Sequence, residues 1–271
     1  MKTIYSILFT ALVMLSACNN QKSTNKEIAL GDTIQTASGL KYFYLKKGEG
    51  RKVETGCKVG AYLSLQVDGK VVWNTNELPD SLFTYVADYS RLIKGFTEVS
   101  MLLREGDEVV AILSDSLAYG SKGAGDVIPP NATLIYDQFK VIKVEAPKKF
   151  LSDLLYADMK EKSLEDVIAT YQRIVEGEEA NLYYTDSEQL NRVWELLTKE
   201  NLHEKAANYA TKIGELAKDD RLQYRYILSL ESMEDYLAAK DQLEILLRSN
   251  PENKMMQEKM IELCKKHSNN K

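Results

Sequence analysis

The spacing of hydrophobic and polar positions changes near residue 146 and divides the chain into two parts. Before that point, apolar residues form short β-branched or aromatic runs bounded by glycines and polar turns, which is typical of strands. These runs lie at 38–50, 59–67, 71–73, 83–86, 109–113 and 133–144. After it, apolar residues recur every three or four positions, which predicts helices.

One stretch of the first part also has helical spacing. Leu92, Ile93, Phe96, Val99 and Leu103 lie on one face of a predicted short helix. Several antiparallel strands with a single helix define the α+β class. We therefore expect residues 36–145 to form one α+β domain.

The second part, residues 148–271, reads as an all-α domain joined by a linker at 146–148. Short connections predict that neighbouring helices are antiparallel. The predicted helices are 150–161, 163–176, 187–199, 202–218, 222–232, 236–248 and 252–267.

A weak internal repeat runs through these helices. The segments 200–207 and 231–238 match at about thirty residues' distance, and 238–253 resembles the second helix of a tetratricopeptide repeat with its Asn-Pro. Trp194 lies near the position of that repeat's tryptophan, but the Trp-Leu-Gly pattern is missing. A stack of such repeats and a plain helical bundle both remain open.

The composition is that of a soluble globular protein of about two domains, with 28% charged and 44% hydrophobic residues. A net charge of −5 without basic stripes gives no indication of a nucleic-acid partner. The two histidines and three cysteines are dispersed, so no metal-ligand spacing or Cys-His or Ser-His-Asp arrangement exists. We expect no metal and no cofactor.

The segment from Met1 to Cys18 has a charged start, an apolar run too short to span a bilayer, and the sequence L-S-A-C at its end. L-S-A-C resembles the lipobox of bacterial lipoproteins, which implies lipidation at Cys18 and a membrane anchor. The alternative is an ordinary signal peptide. Residues 19–35 read as a flexible tether. Asn19 implies, by the same resemblance, the outer membrane facing the periplasm of a Gram-negative bacterium.

The two other cysteines, Cys57 and Cys264, lie in different predicted domains. A disulfide framework is therefore not expected, and both thiols are predicted to be buried.

A long loop precedes the last strand of the first domain. Glycines permit positive φ within it, and Pro129 and Pro130 hold the chain extended. The loop nevertheless carries Tyr119, Val127 and Ile128, apolar side chains that a solvated loop does not need. This combination predicts the rim of a pocket.

The loop and the following strand resemble the signature of the FKBP-type peptidyl-prolyl cis-trans isomerases. The matching residues are A-Y-G at 118–120 and, after a glycine-rich gap, I-P-P-N-A-T-L-I-Y-D at 128–137. The resemblance covers 36–145. It implies a twisted sheet wrapped over one helix, prolyl isomerase activity without metal or cofactor, and proline-containing polypeptides as clients.

The resemblance also carries over the family's pocket residues, one position at a time. Phe96 stands where the family usually has tryptophan, and Asn74 where it has an acid, although one inserted residue affects the alignment of Trp73 and Asn74. The implied catalytic residues are Tyr62, Trp73, Asn74, Phe83, Leu92, Ile93, Phe96, Tyr119, Ile128 and Tyr136.

Three functional hypotheses follow. The first is a lipid-anchored prolyl isomerase that assists the folding of exported proteins, with a helical domain that holds clients or a protein partner. The second is a catalytically weak binding module or chaperone scaffold tethered to the membrane, favoured by Asn74 and Phe96. The third is a subunit of a larger membrane-bound complex that docks through its helices.

Overall fold

The computed structural model describes residues 30–269. The predicted signal peptide, the lipidation site Cys18 and most of the predicted tether lie outside the described residues. Within 30–269, no helix combines the length and the apolar character that crossing a bilayer requires.

The first domain is built on one antiparallel sheet. Its strands pair in the order β1-β2-β6-β7-β3-β4, with β5 pairing to the free half of β3. β3 and β7 are the longest strands, with 10 and 11 residues, and they pair with each other from Val59–Val144 to Gln66–Ile135. The strands are β1 Ile34–Gln35, β2 Lys41–Lys46, β3 Lys58–Val67, β4 Lys70–Asn74, β5 Phe83–Val86, β6 Glu108–Leu113 and β7 Leu134–Val144.

One helix, α1 (Lys94–Leu102), packs on the core side of this sheet. Phe96 and Val99 are buried on its inner face. Gly95 allows α1 to lie close to β6, because a Cβ at this position would be only 2.6 Å from the side chain of Leu113. The residues that hold α1 in place are therefore part of the same hydrophobic core as the sheet residues.

The second domain contains seven α-helices among the residues described, and each packs on at least one of its sequence neighbours. A two-residue parallel bridge, β8 (Lys149–Phe150) with β9 (Tyr183–Tyr184), ties its first helices together. The helices are α2 Leu151–Glu161, α3 Leu164–Glu176, α4 Ser187–Lys199, α5 His203–Ala217, α6 Asp220–Ser232, α7 Tyr236–Ser249 and α8 Lys254–Asn269.

The helix pairs α4–α5 and α6–α7 repeat at a constant offset along the chain. Helices α4 and α5 begin at Ser187 and His203, while α6 and α7 begin at Asp220 and Tyr236, so the two starts of each pair are equally spaced. In both pairs the connection contains one residue with positive φ in the left-handed region, Asn201 in the first and Glu234 in the second. The two pairs therefore share one spacing of helix starts and one type of connection.

The two domains meet across a short linker. The ring of Phe150 stacks between Tyr89, at 4.3 Å, and Tyr184, at 5.5 Å between ring centroids. The carbonyl of Gly56 accepts hydrogen bonds from the Tyr184 hydroxyl and the Lys148 backbone N–H, both at 3.0 Å. Aromatic packing and directional bonds thus hold the domains in one arrangement.

The predicted fold class, an α+β sheet domain followed by an all-α helical region, is confirmed. The sequence did not predict β1, which uses Ile34 and Gln35 from the end of the expected tether. The expectation for Cys264 was wrong: Cys57 is buried, but Cys264 is exposed. On α8 it is the adjacent Leu263 that is buried in the core of the last helices, while Cys264 lies on the exposed face.

Candidate active site

A cavity of about 530 Å³ opens between α1, the central strands and the long loop before β7. Eight of the ten predicted site residues line it, since only Tyr62 and Asn74 are missing. The lining residues are Leu63, Leu65, Val72, Trp73, Phe83, Arg91, Leu92, Ile93, Phe96, Tyr119, Val127, Ile128 and Tyr136.

Phe96 forms the floor of this cavity. Its side chain is only 2% exposed. Its ring makes edge contacts with Phe83, Tyr85 and Tyr136 at centroid distances of 5.1 to 5.8 Å, and stacks on Phe139 at 5.0 Å. The floor is therefore continuous with the hydrophobic core.

The side wall depends on an irregularity in the β3–β4 hairpin. Leu65 lies opposite Trp73, but the next residue, Gln66, lies opposite Val71, so Val72 is an extra residue in β4. Such a bulge turns two consecutive side chains toward one region. As a result both Val72 and Trp73 line the cavity, and the Trp73 ring packs edge-on against Phe83.

The rim is shaped by the loop between β6 and β7. Ala124 and Ile128 exchange two backbone hydrogen bonds, at 2.8 and 3.1 Å, and bring Ile128 over the cavity. Gly123 makes this turn possible with φ of +64°, and a Cβ there would lie 2.2 Å from the Ile128 carbonyl oxygen. No residue with a side chain fits that position without moving the loop.

Three hydrogen-bond donors border the otherwise apolar space. The phenol of Tyr119, a residue 41% exposed, lies at the rim. Burial, with the neighbouring Tyr119, raises the pKa of Tyr136, so its hydroxyl stays a neutral donor. The N–H of Ile93, at the N-cap of α1, has no acceptor within the described part of the chain.

Of the thirteen lining residues, only Arg91, Tyr119 and Tyr136 are titratable. Arg91 donates to the carboxylate of Glu195 at 2.6 Å, and this bond raises its pKa. Residues 30–269 also contain no cluster of metal-ligating side chains. The cavity therefore suits binding an apolar group and shielding it from water, and it offers no carboxylate, imidazole or thiol for nucleophilic or acid–base chemistry.

The structure does not bring Tyr62 and Asn74 into the cavity. Side chains alternate along β3, so Leu63 and Leu65 face inward while Tyr62 lies on the opposite face, 37% exposed. A shift of one residue moves a side chain to the other face of a strand, and such a shift separates the predicted position of Tyr62 from the one in the structure. Asn74 instead accepts the N–H of Asn76 at 2.9 Å and caps the turn after β4.

The prediction omitted five lining residues, Leu63, Leu65, Val72, Arg91 and Val127. The alternation of apolar residues in β3 contained the signal for the two leucines. Arg91 immediately precedes the predicted Leu92-Ile93 pair. Val72 could not be found this way, because a bulge leaves no pattern in the sequence.

Comparisons with known proteins find similarity in the sheet domain. The family model for FKBP-type peptidyl-prolyl cis-trans isomerases matches residues 49–138. FK506-binding protein 1A of Emericella nidulans is 33% identical over 76 residues, 28% of this chain and 69% of that protein. The "Probable FKBP-type peptidyl-prolyl cis-trans isomerase FkpA" of Neisseria meningitidis serogroup B is 38% identical over 125 residues, 45% of this chain and 44% of that protein.

Among solved structures, the crystal structure of FkpA from Escherichia coli is similar with a TM-score of 0.39 and 25% identity, over 42% of this chain and 52% of that one.

Through its sheet domain, the chain belongs to the FKBP-type peptidyl-prolyl cis-trans isomerases. It spans less than half the length of the relatives from Neisseria meningitidis and Haemophilus influenzae, 44% and 46%.

Proposed function

We propose that the sheet domain catalyses cis–trans isomerisation of prolyl bonds in polypeptide clients. The observation that carries this proposal is the cavity itself, an aromatic box with hydrogen-bond donors at its edge and no carboxylate, imidazole or thiol among its lining residues. Prolyl isomerisation makes and breaks no covalent bond, so it requires only this kind of site.

The barrier to be lowered is the loss of amide resonance, about 18–20 kcal/mol. The twisted amide has lost its double-bond character and is less polar than the planar form, so an apolar box favours it. The proline ring rests on Phe96, while the Tyr119 hydroxyl and the Ile93 N–H hold the substrate carbonyl. Only contacts that are stronger at the twisted state accelerate the reaction.

The proposed roles fall on the eight predicted residues that line the cavity. Bulky side chains surround the ring and exclude water, and Tyr136 adds a buried hydroxyl to the wall. The residues are Trp73, Phe83, Leu92, Ile93, Phe96, Tyr119, Ile128 and Tyr136.

A second candidate is binding without efficient turnover, as in a chaperone scaffold. It is supported by Phe96, which gives a smaller floor than the tryptophan usual in the family, and by Asn74, which brings no charge near the wall. In both cases the helical domain, residues 148–271, holds the client or a protein partner.

The proposed location is the cell envelope, with lipid on Cys18 anchoring the protein in the outer membrane, facing the periplasm. The support is the sequence L-S-A-C after a short apolar run. Mass spectrometry of the N-terminal peptide tests it: a diacylated Cys18 is expected, and an unmodified cysteine within an intact leader would contradict it.

The isomerase proposal is tested by NMR exchange on an apolar-X-Pro tetrapeptide with the full-length chain in detergent micelles. Tyr119→Ala removes a donor at the cavity rim, so we expect it to lower kcat/KM by roughly tenfold or more. Tyr62→Ala removes an equally exposed tyrosine on the opposite face of the sheet and should leave kcat/KM within about twofold.

Loss of turnover in both variants would support the sequence-based assignment of Tyr62 to the pocket. If the wild-type protein binds the peptide but does not accelerate its cis–trans exchange, the catalytic proposal is refuted. The second candidate, binding without turnover, would then be supported.

A further inference from the structure

A second cavity, of about 590 Å³, lies where the helical domain meets the sheet domain. We call it the junction cleft. Most of its lining residues carry polar or charged groups. They come from the connection between β5 and α1, from α4 and α6, and from the α7–α8 connection with the start of α8. The residues that matter for its chemistry are Tyr89, Arg91, Asn191, Arg192, Tyr224 and Met255.

The junction cleft adjoins the isomerase cavity. Arg91 lines both, with a side chain 72% exposed. Tyr89, two positions before it, lines only the cleft, and Ile93, two positions after it, lines only the cavity. Since one residue of extended chain spans about 3.5 Å, a polypeptide leaving the cavity over Arg91 reaches the cleft within a few residues.

The chemistry of the junction cleft suits the backbone of an extended polypeptide. Amide side chains such as Asn250 both donate to and accept from peptide groups. Met255 and Met256 supply flexible apolar contacts that adapt to different side chains. Tyr224 adds a ring whose hydroxyl can remain hydrated.

Charge in the cleft is close to balanced. Four guanidinium groups face three carboxylates, and Glu195 is paired with both Arg91, at 2.6 Å, and Arg225, at 3.4 Å. A strongly charged ligand therefore gains little net attraction. A largely uncharged polypeptide segment, recognised through its backbone, is the occupant that fits.

The cleft is also held in shape before any ligand arrives. Trp194 donates to Ser229 at 2.7 Å and lies under the guanidinium of Arg225, 4.7 Å from its ring centroid. Arg192 lies over the ring of Tyr89 at 5.4 Å and links the two domains. Binding to such a surface costs little ordering entropy.

We propose that the junction cleft binds the part of the client polypeptide that flanks the prolyl bond held in the isomerase cavity. One extended chain then occupies both sites and crosses between them over Arg91. This inference rests on the proposed prolyl isomerase function. It adds a second contact with the same client molecule.

The test compares a tetrapeptide centred on X-Pro with two peptides that extend it by about eight uncharged residues, one toward the N-terminus and one toward the C-terminus. Affinity is measured by fluorescence anisotropy and turnover by NMR exchange, with the full-length chain in detergent micelles. We expect one of the two extended peptides to bind at least about tenfold more tightly than the tetrapeptide.

The double variant Tyr224→Ala/Met255→Ala should abolish that gain and leave tetrapeptide turnover unchanged. The matched control is Tyr236→Ala/Met233→Ala, a tyrosine and a methionine of the same helical region that do not line the cleft. Because Tyr224 is partly buried, thermal melting checks folding. Met255 is more than half exposed, so Met255→Ala alone is not expected to disturb folding. This variant should weaken binding of the extended peptide by about threefold.

Equal affinity for the tetrapeptide and both extended peptides would overturn the inference, as would a gain that persists in the cleft variants. The control variant Tyr236→Ala/Met233→Ala should keep the higher affinity for the extended peptide. If the control loses that affinity as fully as the cleft variants do, the inference is also overturned. Absence of tetrapeptide turnover in wild type would refute the proposed function instead. The anisotropy comparison would then still decide whether the cleft binds the extension.

Discussion

At the scale of single residues, Phe96 serves the core and the cavity at once. It contacts four aromatic rings and is almost fully buried, yet one edge forms the cavity floor. Truncation of such a residue to alanine costs about 3–5 kcal/mol of stability. Rim residues such as Tyr119 are therefore cleaner probes of the site.

The titratable residues of the cavity predict how turnover depends on pH. The ion pair with Glu195 raises the pKa of Arg91, and burial raises the pKa of Tyr136. Raised values keep Arg91 charged and the Tyr136 hydroxyl protonated from acid to well above neutral pH. We expect kcat/KM for a tetrapeptide to stay flat between roughly pH 6 and pH 9.

Exchange rates measured by NMR at each pH check this expectation, with circular dichroism to confirm that the fold is retained. A step centred near pH 6 or 7 would point to a histidine or a perturbed carboxylate in the mechanism. None lines the cavity among residues 30–269.

Sequence reasoning reached most of the residues lining the cavity, and its errors have physical causes. The family signature carried over Tyr119, Ile128 and Tyr136, because all three lie within the matched residues 118–137. The resemblance carried Tyr62 over as a pocket residue, whereas the alternation along β3 places it on the outer face. Val72 was missed because packing, not a local pattern, decides which strand carries an extra residue.

At the scale of elements, the loop from 114 to 133 contains three glycines with positive φ, and two of them, Gly123 and Gly125, differ in their surroundings. A Cβ at Gly123 would lie 2.2 Å from a backbone oxygen, whereas a Cβ at Gly125 would meet nothing within 4 Å. The loop geometry at Gly123 is therefore set by both conformation and space.

We predict that Gly123→Ala lowers kcat/KM by roughly tenfold or more, because Ile128 must move away from the cavity. Gly125→Ala, with similar φ strain but no collision, is the matched control. It should cost about 1 kcal/mol of stability and change turnover by less than about threefold. Equal losses of turnover in the two variants would show that strain in φ, not the position of Ile128, sets the effect.

The limits of the helices and strands were largely predictable from the sequence. Apolar residues recur every three or four positions in the helices and form short β-branched or aromatic runs in the strands. Helix α4, for example, runs over 187–199 as expected. The short bridge between β8 and β9 was not, since two-residue strands leave no period to detect. The constant offset between the two helix pairs became visible only once their exact starts were known.

At the scale of the whole molecule, Gly56 is one of the points where the two domains contact each other. Its φ is +83°, and a Cβ there would lie 2.3 Å from the Lys148 carbonyl oxygen. Tyr184, which donates to the Gly56 carbonyl, is 128 residues away in sequence. No local pattern indicates such a contact, so the docking of the two domains could not be predicted.

We predict that Gly56→Ala separates the domains without unfolding them. Limited proteolysis should cut within 146–148 faster than in wild type, and melting should split into two transitions. Tetrapeptide turnover should persist, while the affinity gain of the extended peptide is lost. The control is Gly69→Ala, at a hairpin glycine with φ of +73° and nothing within 4 Å, and unchanged proteolysis in Gly56→Ala would contradict the prediction.

The fixed junction has a kinetic consequence. A client segment held in the junction cleft keeps its remaining prolyl bonds near the isomerase cavity, at an effective concentration in the millimolar range that tethering typically produces. After one bond has isomerised, the next is therefore more readily sampled from the same bound chain than from another molecule in solution. The enzyme would then act processively along one polypeptide, and its advantage over an isolated isomerase domain would grow with the number of prolines in the client.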